Sequence, residues 1–360
     1  MVGGGTRRRI LNERIFPVNL HQFGWNSFFE SQAAEGVCGR VASSNHGIYL
    51  VWTEAGEVEA SVSGILRKSA SLWPAVGDWV VLREDAHAIV KVLDRQTKLS
   101  RKQPEREVRE QVLAANIDVL FIVSGLDRDY NERRIERYLV MAKESGARPV
   151  VLLNKADLAP ELGLDLEDVV NRVSQMSPGM TVLPLSALSE HGLDALPAEL
   201  KPGQTAALIG SSGVGKSTIL NRLLGDERQR TTPVRAADSR GRHTTTSREI
   251  FLMPEGWLLM DMPGLREIQL WATAEQVEDS FDDIQQLAAV CRFRDCKHLA
   301  EPGCAVVAAG IAPGRMANYL KMVREVTTLD ARTSPRSTPK PYLKGKASGK
   351  SARGHAKDED

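Results

Sequence analysis

The sequence lacks a long apolar run, an excess of charge of either sign and a large number of cysteines or aromatic residues. Its longest apolar stretches, such as residues 117–123, are far too short to span a bilayer. No apolar run follows Arg7, Arg8 and Arg9, so we expect no signal peptide. A net charge of +1 gives no argument for nucleic-acid binding by the chain as a whole. We therefore expect a cytoplasmic protein with no membrane partner.

What is present is an ordinary globular composition, with 42% hydrophobic and 26% charged residues in a chain of 360. That length predicts two or three compact units. The predicted fold is multidomain α/β, with an N-terminal β-barrel, a parallel sheet with flanking helices and a C-terminal helical unit. The expected boundaries are a leader at 1–35, the barrel at 36–100, the α/β domain at 101–272, the helical unit at 273–330 and a disordered basic tail at 331–360.

Residues 36–99 consist of short alternating stretches separated by Gly, Asn and Pro. Period-two alternation at this spacing predicts about five strands that close into a small barrel, although a sandwich would give the same pattern. An oligonucleotide-binding barrel would offer its aromatic rings for base stacking, and the alternative is that they fill a small core. The rings in question are those of Tyr49, Trp52, Trp73 and Trp79.

Apolar runs alternate with helical stretches from about residue 111 to 270, which predicts a doubly wound parallel sheet. Asn131 can cap a helix that Gly146 would end. The charged residues 101–110 are interpreted as a linker between the barrel and this sheet. The predicted strands are 117–123, 149–153, 181–185, 206–209, 249–252 and 257–260.

A phosphate-binding motif lies between one of these apolar runs and a helical stretch. Its glycines let backbone N–H groups curl around phosphates, Lys216 would reach the β- and γ-phosphates, and the Ser217 hydroxyl would bind Mg²⁺. The helix that begins there adds its N-terminal dipole to the anion site. The predicted phosphate-binding residues are Gly210, Ser211, Ser212, Gly213, Val214, Gly215, Lys216, Ser217 and Thr218.

A second motif, Asn-Lys-Ala-Asp, follows a predicted strand and selects the base. The Asp157 carboxylate can accept two hydrogen bonds from guanine, whereas adenine would leave it unpaired at a cost of about 1–3 kcal/mol, and more for a charge. Lys155 would lie along the base, and Asn154 would tie the loop to the phosphate side. With the Ser-Ala pair after the next strand, the predicted guanine-binding residues are Asn154, Lys155, Ala156, Asp157, Ser186 and Ala187.

A third motif, Asp-Met-Pro-Gly, ends another apolar run. Asp261 would hold Mg²⁺ through water, and the Gly264 N–H would sense the γ-phosphate. The sensing threonine should come from residues 241–246, Gly-Arg-His-Thr-Thr-Thr. Common GTPases have the phosphate motif first, but here the guanine motif precedes it. The order predicts a circularly permuted GTPase domain, which is feasible because domain termini usually lie close together.

The residue after Gly264 is Leu265, where Ras-like proteins place a glutamine that orients water. An apolar side chain cannot orient water, so another group must do so. His243 is the nearest candidate, and a solvated loop histidine is the alternative interpretation.

Three of the four cysteines lie close together with a histidine among them. In a reducing cytosol such a cluster indicates metal ligands before disulfides. Three thiolates and one imidazole predict a closed tetrahedral site for one structural Zn²⁺. The alternative, four scattered core residues, is disfavoured by charged neighbours such as Arg292 and Lys297. The predicted zinc ligands are Cys291, Cys296, His298 and Cys304.

These motifs resemble those of the RsgA family, also called YjeQ or YloQ, the circularly permuted GTPases of bacterial ribosome assembly. The resemblance covers about residues 20–330. It implies an OB-type barrel, a zinc-binding C-terminal domain, GTP hydrolysis stimulated by the small ribosomal subunit and a late role in maturing that subunit. It also implies that His243 aids hydrolysis and that Thr245 is the sensing threonine, which we expect to bind Mg²⁺. Met262 is a mild departure, since Thr or Ser is commoner there.

The leading functional interpretation is a monomeric GTPase that binds GTP and GDP, the small ribosomal subunit and its rRNA. The alternative is a nucleotide-gated rRNA-binding module with negligible turnover, which Leu265 alone would allow. A P-loop kinase or ATPase is opposed by Asp157. The predicted catalytic residues are His243, Thr245, Lys216, Asp261 and Gly264.

Overall fold

The computed structural model describes residues 19–33, 35–69, 73–102, 110–225, 248–262, 272–293, 296–299 and 301–333. The strands are β1 Val37–Asn45, β2 Ile48–Thr53, β3 Gly56–Val62, β4 Trp79–Leu82, β5 Ala88–Val92, β6 Lys98–Lys102, β7 Glu110–Ala115, β8 Val119–Gly125, β9 Arg148–Asn154, β10 Thr181–Pro184, β11 Thr205–Ile209, β12 Arg248–Leu252 and β13 Leu258–Asp261. The helices are α1 Ser27–Glu30, α2 Gly64–Ser69, α3 Glu132–Ser145, α4 Leu166–Ser174, α5 Lys216–Leu224, α6 Ala274–Asp279, α7 Asp282–Ala289, α8 Ala305–Ala308 and α9 Pro313–Thr333.

The first five strands form a closed barrel, because β1 pairs with both β2 and β4 in the order β1-β2-β3-β5-β4. Closure decides between the two architectures that the alternating pattern allowed, since a sandwich would leave strand edges unpaired. Part of the predicted leader belongs to this unit. Leu20, Phe23 and Phe29 precede β1 and are buried in the same core as the barrel residues.

Three of the four aromatic rings proposed for base stacking fill the barrel core. Tyr49, Trp52 and Trp79 are buried, and Trp79 packs against Trp25 with ring centroids 4.8 Å apart. Trp73 is 55% exposed. The core interpretation is therefore correct for three rings, and only Trp73 remains available for stacking.

The second sheet region has five parallel strands in the order β10-β9-β8-β11-β13, as the alternation of strands and helices predicted. Asn131 caps α3 by accepting a hydrogen bond from the Arg133 N–H, and Gly146 ends it in the left-handed conformation. One prediction was wrong, because β12 pairs antiparallel with β13. The short connection between these strands allows a hairpin but not a parallel crossover.

The barrel and the parallel sheet are joined into one eleven-stranded sheet, which the sequence did not predict. The junction, here called the sheet seam, is the antiparallel pairing of β1 with β12, in which Ser43 lies opposite Glu249 and Ser44 opposite Arg248. Earlier in β1, the guanidinium of the fully buried Arg40 donates to the carbonyls of Phe23, Gly77 and Asn116, which connects the barrel to the segment between β7 and β8.

The predicted linker at 101–110 was also wrong at its two ends. Arg101 and Glu110 lie in β6 and β7, which pair antiparallel, and residues 103–109 are outside the described part of the chain. A charged strand pair is compatible with the sequence because a two-stranded hairpin has solvent on much of its surface.

The C-terminal unit is helical, as predicted, and it packs on α3. Their junction, here called the helical seam, is made by side chains. Arg137 pairs with Glu325 through two contacts of 2.9 and 2.6 Å. Glu136, which is buried, accepts hydrogen bonds from Arg315 and from Asn318.

None of the helices within the described ranges is long and apolar enough to cross a bilayer. The predicted tail from residue 334 onward lies outside the described residues.

Candidate functional site

The phosphate motif lies where the buried strand β11 meets α5, at the carboxyl end of the parallel strands. Two of its glycines are required by close approach as well as by backbone conformation. Gly210 has φ +147°, and a Cβ there would meet the Val123 carbonyl oxygen at 2.3 Å. Gly215 has φ +101°, and a Cβ there would lie 2.1 Å from the Asn154 amide nitrogen. Any side chain at either position would push the loop off the neighbouring strands.

Asn154, at the end of β9, holds three loops together. Its amide nitrogen donates to the Val214 carbonyl at 2.8 Å, and its Oδ1 accepts from the Ala187 N–H at 2.9 Å. The side chain is 2% exposed, so both of its polar ends are satisfied inside the protein. The two sequence motifs and the Ser-Ala pair, which are far apart along the chain, therefore form one site.

Lys155 adds a second connection to the phosphate motif. It has a left-handed φ of 61°, and its ammonium donates to the Gly213 carbonyl at 2.7 Å and to Asp127 Oδ2 at 2.6 Å. Sequence reasoning missed Asp127. The available signal was its position just after the buried strand β8, since ligand sites in such sheets form outside the carboxyl ends of the strands.

Lys216 lies at the first position of α5, and its ammonium donates to the carbonyls of Gly210 and Ser211 at 2.7 and 2.6 Å. Burial lowers the pKa of this lysine to about 8, against the opposing effect of Asp261. β13 is the parallel neighbour of β11, so Asp261 at its end lies at the same edge of the sheet as the phosphate motif.

The remaining predicted site residues divide into four groups. Ser186 and Ala187 are buried in the wall of the site, and the Ser186 N–H donates to the His191 carbonyl at 2.9 Å. Four residues, Asp157, Ser212, Ser217 and Thr218, are exposed at its mouth. Ala156 is half-buried beneath them. Outside the described residues lie His243, Thr245, Gly264 and Leu265.

The cysteine cluster is assembled as the spacing predicted, with one donor atom from each of four residues and all four atoms within 4.8 Å of one another. The Sγ atoms of Cys291 and Cys304 are 3.9 Å apart, and each is 3.5 Å from His298 Nδ1. His298 reaches this position from a left-handed backbone, φ 58°. The arrangement can hold a metal ion.

Comparison with known proteins assigns the chain to a family. A family model described as RsgA GTPase matches residues 92–271. The chain is 43% identical over 315 residues to the small ribosomal subunit biogenesis GTPase RsgA 2 of Vibrio parahaemolyticus, with 85% of each chain covered. The chain belongs to the RsgA GTPase family.

Solved structures agree with this assignment. YjeQ from Thermotoga maritima matches with a TM-score of 0.58 and 25% identity over 81% of this chain and 98% of that one. YloQ, described as a circularly permuted GTPase, matches in fold with a TM-score of 0.56 and 22% identity over 82% of this chain and 96% of that one. As an RsgA-family protein the chain is a GTP-hydrolysing enzyme. This excludes the alternative interpretations as a P-loop kinase, an ATPase or an rRNA-binding module with negligible turnover.

Proposed function

We propose that this GTPase binds the small ribosomal subunit, assists its late maturation and is released when the subunit stimulates hydrolysis of GTP to GDP and phosphate. Support for the subunit as partner comes from the name of the Vibrio relative. Support for a guanine nucleotide comes mainly from one observation, the two hydrogen bonds by which Asn154 joins the phosphate motif to the guanine motif and the Ser-Ala pair. A site built this way binds phosphate and base together.

The proposed nucleotide contacts follow from exposure and hydrogen bonding. Asp157 would read guanine, because its carboxylate is exposed at the mouth of the site. Lys216 would exchange two backbone carbonyls for the β- and γ-phosphates. Burial lowers the pKa of its ammonium because it disfavours the charged form, and a bound anion would offset that cost. Loop N–H groups from 210–218 would surround the phosphates.

Magnesium would be held by Ser217 and Thr245, with Asp261 acting through water. Asp261 lies close enough to Lys216 to affect its pKa, which supports a shared phosphate and metal region. For catalysis we propose that Gly264 senses the γ-phosphate and that His243 orients the attacking water, since Leu265 cannot. The roles of Thr245, Gly264 and His243 rest on the sequence motifs alone, because these three residues lie outside the described part of the chain.

We propose that the cysteine cluster binds one structural Zn²⁺. Bond lengths of about 2.3 Å to sulfur and about 2.0–2.1 Å to nitrogen in a tetrahedron require S–S distances of about 3.8 Å and S–N distances of about 3.5 Å. The distances among Cys291, Cys304 and His298, 3.9 Å between the sulfurs and 3.5 Å from each sulfur to Nδ1, agree with that geometry, and the Cys296 sulfur lies within 4.8 Å of the other three donors. Thiolates and an imidazole are also the donors that zinc prefers.

We also propose contact with rRNA, action as a monomer and a cytoplasmic location, where small subunits are assembled. The unit boundaries at 36–100, 101–272 and 273–330 are part of the same proposal, with residues 19–33 added to the barrel unit because they share its core.

The test is GTP turnover with and without purified small subunits, using large subunits as the control. We expect stimulation by small subunits alone. His243→Ala should keep GTP affinity and lose most of the stimulation, since a positioned group of this kind contributes about 10²–10⁴-fold. Equal turnover with either subunit would contradict the proposed partner.

Base recognition is tested by Asp157→Asn, whose amide reverses one hydrogen-bond polarity. This variant should bind GTP more weakly and should bind xanthosine triphosphate more tightly than the unsubstituted protein does. Asp194→Asn, another exposed carboxylate in the same domain, is the matched control and should change neither. Unchanged GTP affinity in Asp157→Asn would remove the guanine assignment.

A further inference from the structure

One side chain of the phosphate motif is held from outside the motif. The Ser211 hydroxyl oxygen accepts a hydrogen bond from Arg134 Nη1 at 2.8 Å, although the two residues are 77 positions apart in the sequence. Tyr138, one helical turn further along α3 and buried, also contacts the Ser211 side chain. Neither residue belongs to any of the sequence motifs.

The guanidinium of Arg134 is itself fixed. Asp129, in the loop before α3, accepts from Nη1 at 2.6 Å and from Nη2 at 3.3 Å. A guanidinium is planar and stays charged, so a carboxylate that holds it through two nitrogens also sets its orientation. The pairing leaves Arg134 aimed at Ser211 rather than free in solvent.

The helix that carries Arg134 is also anchored to the C-terminal unit. Glu136 and Arg137 hold α3 against α9 through Arg315 and Glu325. The Arg133 backbone carbonyl accepts a further hydrogen bond from Asn318 at 3.1 Å. Contacts with α9 therefore hold α3 in place beside the phosphate motif, and such support from neighbouring side chains is how positioning residues keep a binding geometry.

We propose that Arg134 is a positioning residue for the nucleotide, which holds Ser211 and with it the first turn of the phosphate motif in the conformation that receives phosphates. Its fixed positive charge also adds to the field that attracts them. The inference rests on the proposed assignment of residues 210–218 as the phosphate site. Arg134 acts through the loop, and Lys216 and the loop N–H groups make the direct contacts.

A double-mutant cycle tests the proposed route. Arg134→Met removes the charge and the hydrogen bond while keeping the length of the side chain, and Ser211→Ala removes only the hydroxyl. Arg134→Met should weaken GTP binding by about three- to tenfold. If the effect passes through Ser211, the double variant should bind GTP no more weakly than Arg134→Met alone, because coupled positions are not additive.

The matched control is Arg128→Met in the same loop. Arg128 is exposed and makes no ion pair with any carboxylate in the part of the chain described above. Arg128→Met therefore removes one positive charge from the loop and leaves the hydrogen bond between Arg134 and Ser211 in place. GTP affinity should stay within about twofold of the unsubstituted protein. Arg134→Lys should recover part of the affinity, since lysine restores charge but not the paired geometry.

Three results would overturn the proposal. Arg128→Met could weaken binding as much as Arg134→Met, which would leave only a long-range charge effect. The losses in the cycle could be additive, or Arg134→Met could lower the melting temperature while GTP affinity stays unchanged. Lys216→Ala separates failure of this proposal from failure of the site: if that variant binds GTP normally, the phosphate assignment itself is wrong.

Discussion

The sheet seam and the helical seam join neighbours to the same GTPase core by different physical means. At the sheet seam, β1 and β12 share backbone pairing, and Arg40, earlier in β1, is buried with carbonyl partners from three segments. At the helical seam, α3 and α9 meet through side chains, including the pair Arg137 and Glu325, which are 24% and 30% exposed. Backbone pairing cannot be rearranged without breaking the sheet, whereas side-chain pairs can exchange partners. We therefore expect the barrel to move with the core and the C-terminal unit to be separable from it.

Loss of the metal should have the largest effect of the changes considered. That effect should be confined to the C-terminal unit. Structural zinc contributes roughly 10 kcal/mol to small domains that depend on it. Cys304→Ala should abolish hydrogen-exchange protection around residues 291–309 and leave β1–β5 protected, as measured by mass spectrometry. Cys38→Ala, a cysteine outside the cluster, is the control and should change neither region. Equal loss of protection in the barrel would contradict the proposed separability.

Arg40→Met should have the largest effect on the sheet seam. It leaves buried carbonyls of Phe23, Gly77 and Asn116 without their donor, and we expect a loss of about 3–5 kcal/mol in the free energy of unfolding. Urea denaturation measures this free energy of unfolding. Arg83→Met, at an exposed arginine, is the control and should leave it unchanged. A loss below about 1 kcal/mol would show that Arg40 does not stabilise the seam.

Dependence on pH should come from a third contact, where α3 meets the β6–β7 hairpin, which belongs to neither seam. Burial, with Glu110 nearby and Lys98 opposing, raises the pKa of Glu144 there to about 8. The folded protein then keeps a proton that the unfolded chain loses, so this group lowers stability as pH rises from its usual pKa towards 8. Glu144→Gln should be more stable than the unsubstituted protein at pH 8, by about 1–2 kcal/mol after allowance for partial exposure, and equally stable near pH 4.5. A difference that does not change with pH would contradict this.

The smallest effect should come from the Arg137 and Glu325 pair. Partly exposed pairs contribute about 0.5–1 kcal/mol, and salt screens them. A double-mutant cycle with Arg137→Met and Glu325→Gln should give a coupling energy of that size that falls in 1 M NaCl. Arg148 and Glu199, a partly exposed pair within the GTPase domain, provide the comparison. A coupling energy above about 3 kcal/mol would mean that the helical seam is as firmly fixed as the sheet seam.

The arrangement of the candidate site was largely predictable, because its motifs depend on local geometry. A phosphate-binding loop needs glycines at fixed spacing between a strand and a helix, and the sequence displays both flanks. The guanine motif was equally readable at the end of β9. Asp127 and Arg134 were not, because their roles depend on which strand and helix lie next to the phosphate motif in space.

The same division holds for the fold as a whole. Local signals determined the helix capped by Asn131 and ended by Gly146, the buried strand runs and the cysteine–histidine cluster, since capping, period and spacing act within a few residues. The antiparallel β12, the barrel that continues from it and the burial of Arg40 were decided only by tertiary structure. Strand pairing and the satisfaction of a buried charge depend on groups distant in sequence, and a strand's own residues do not specify its partner.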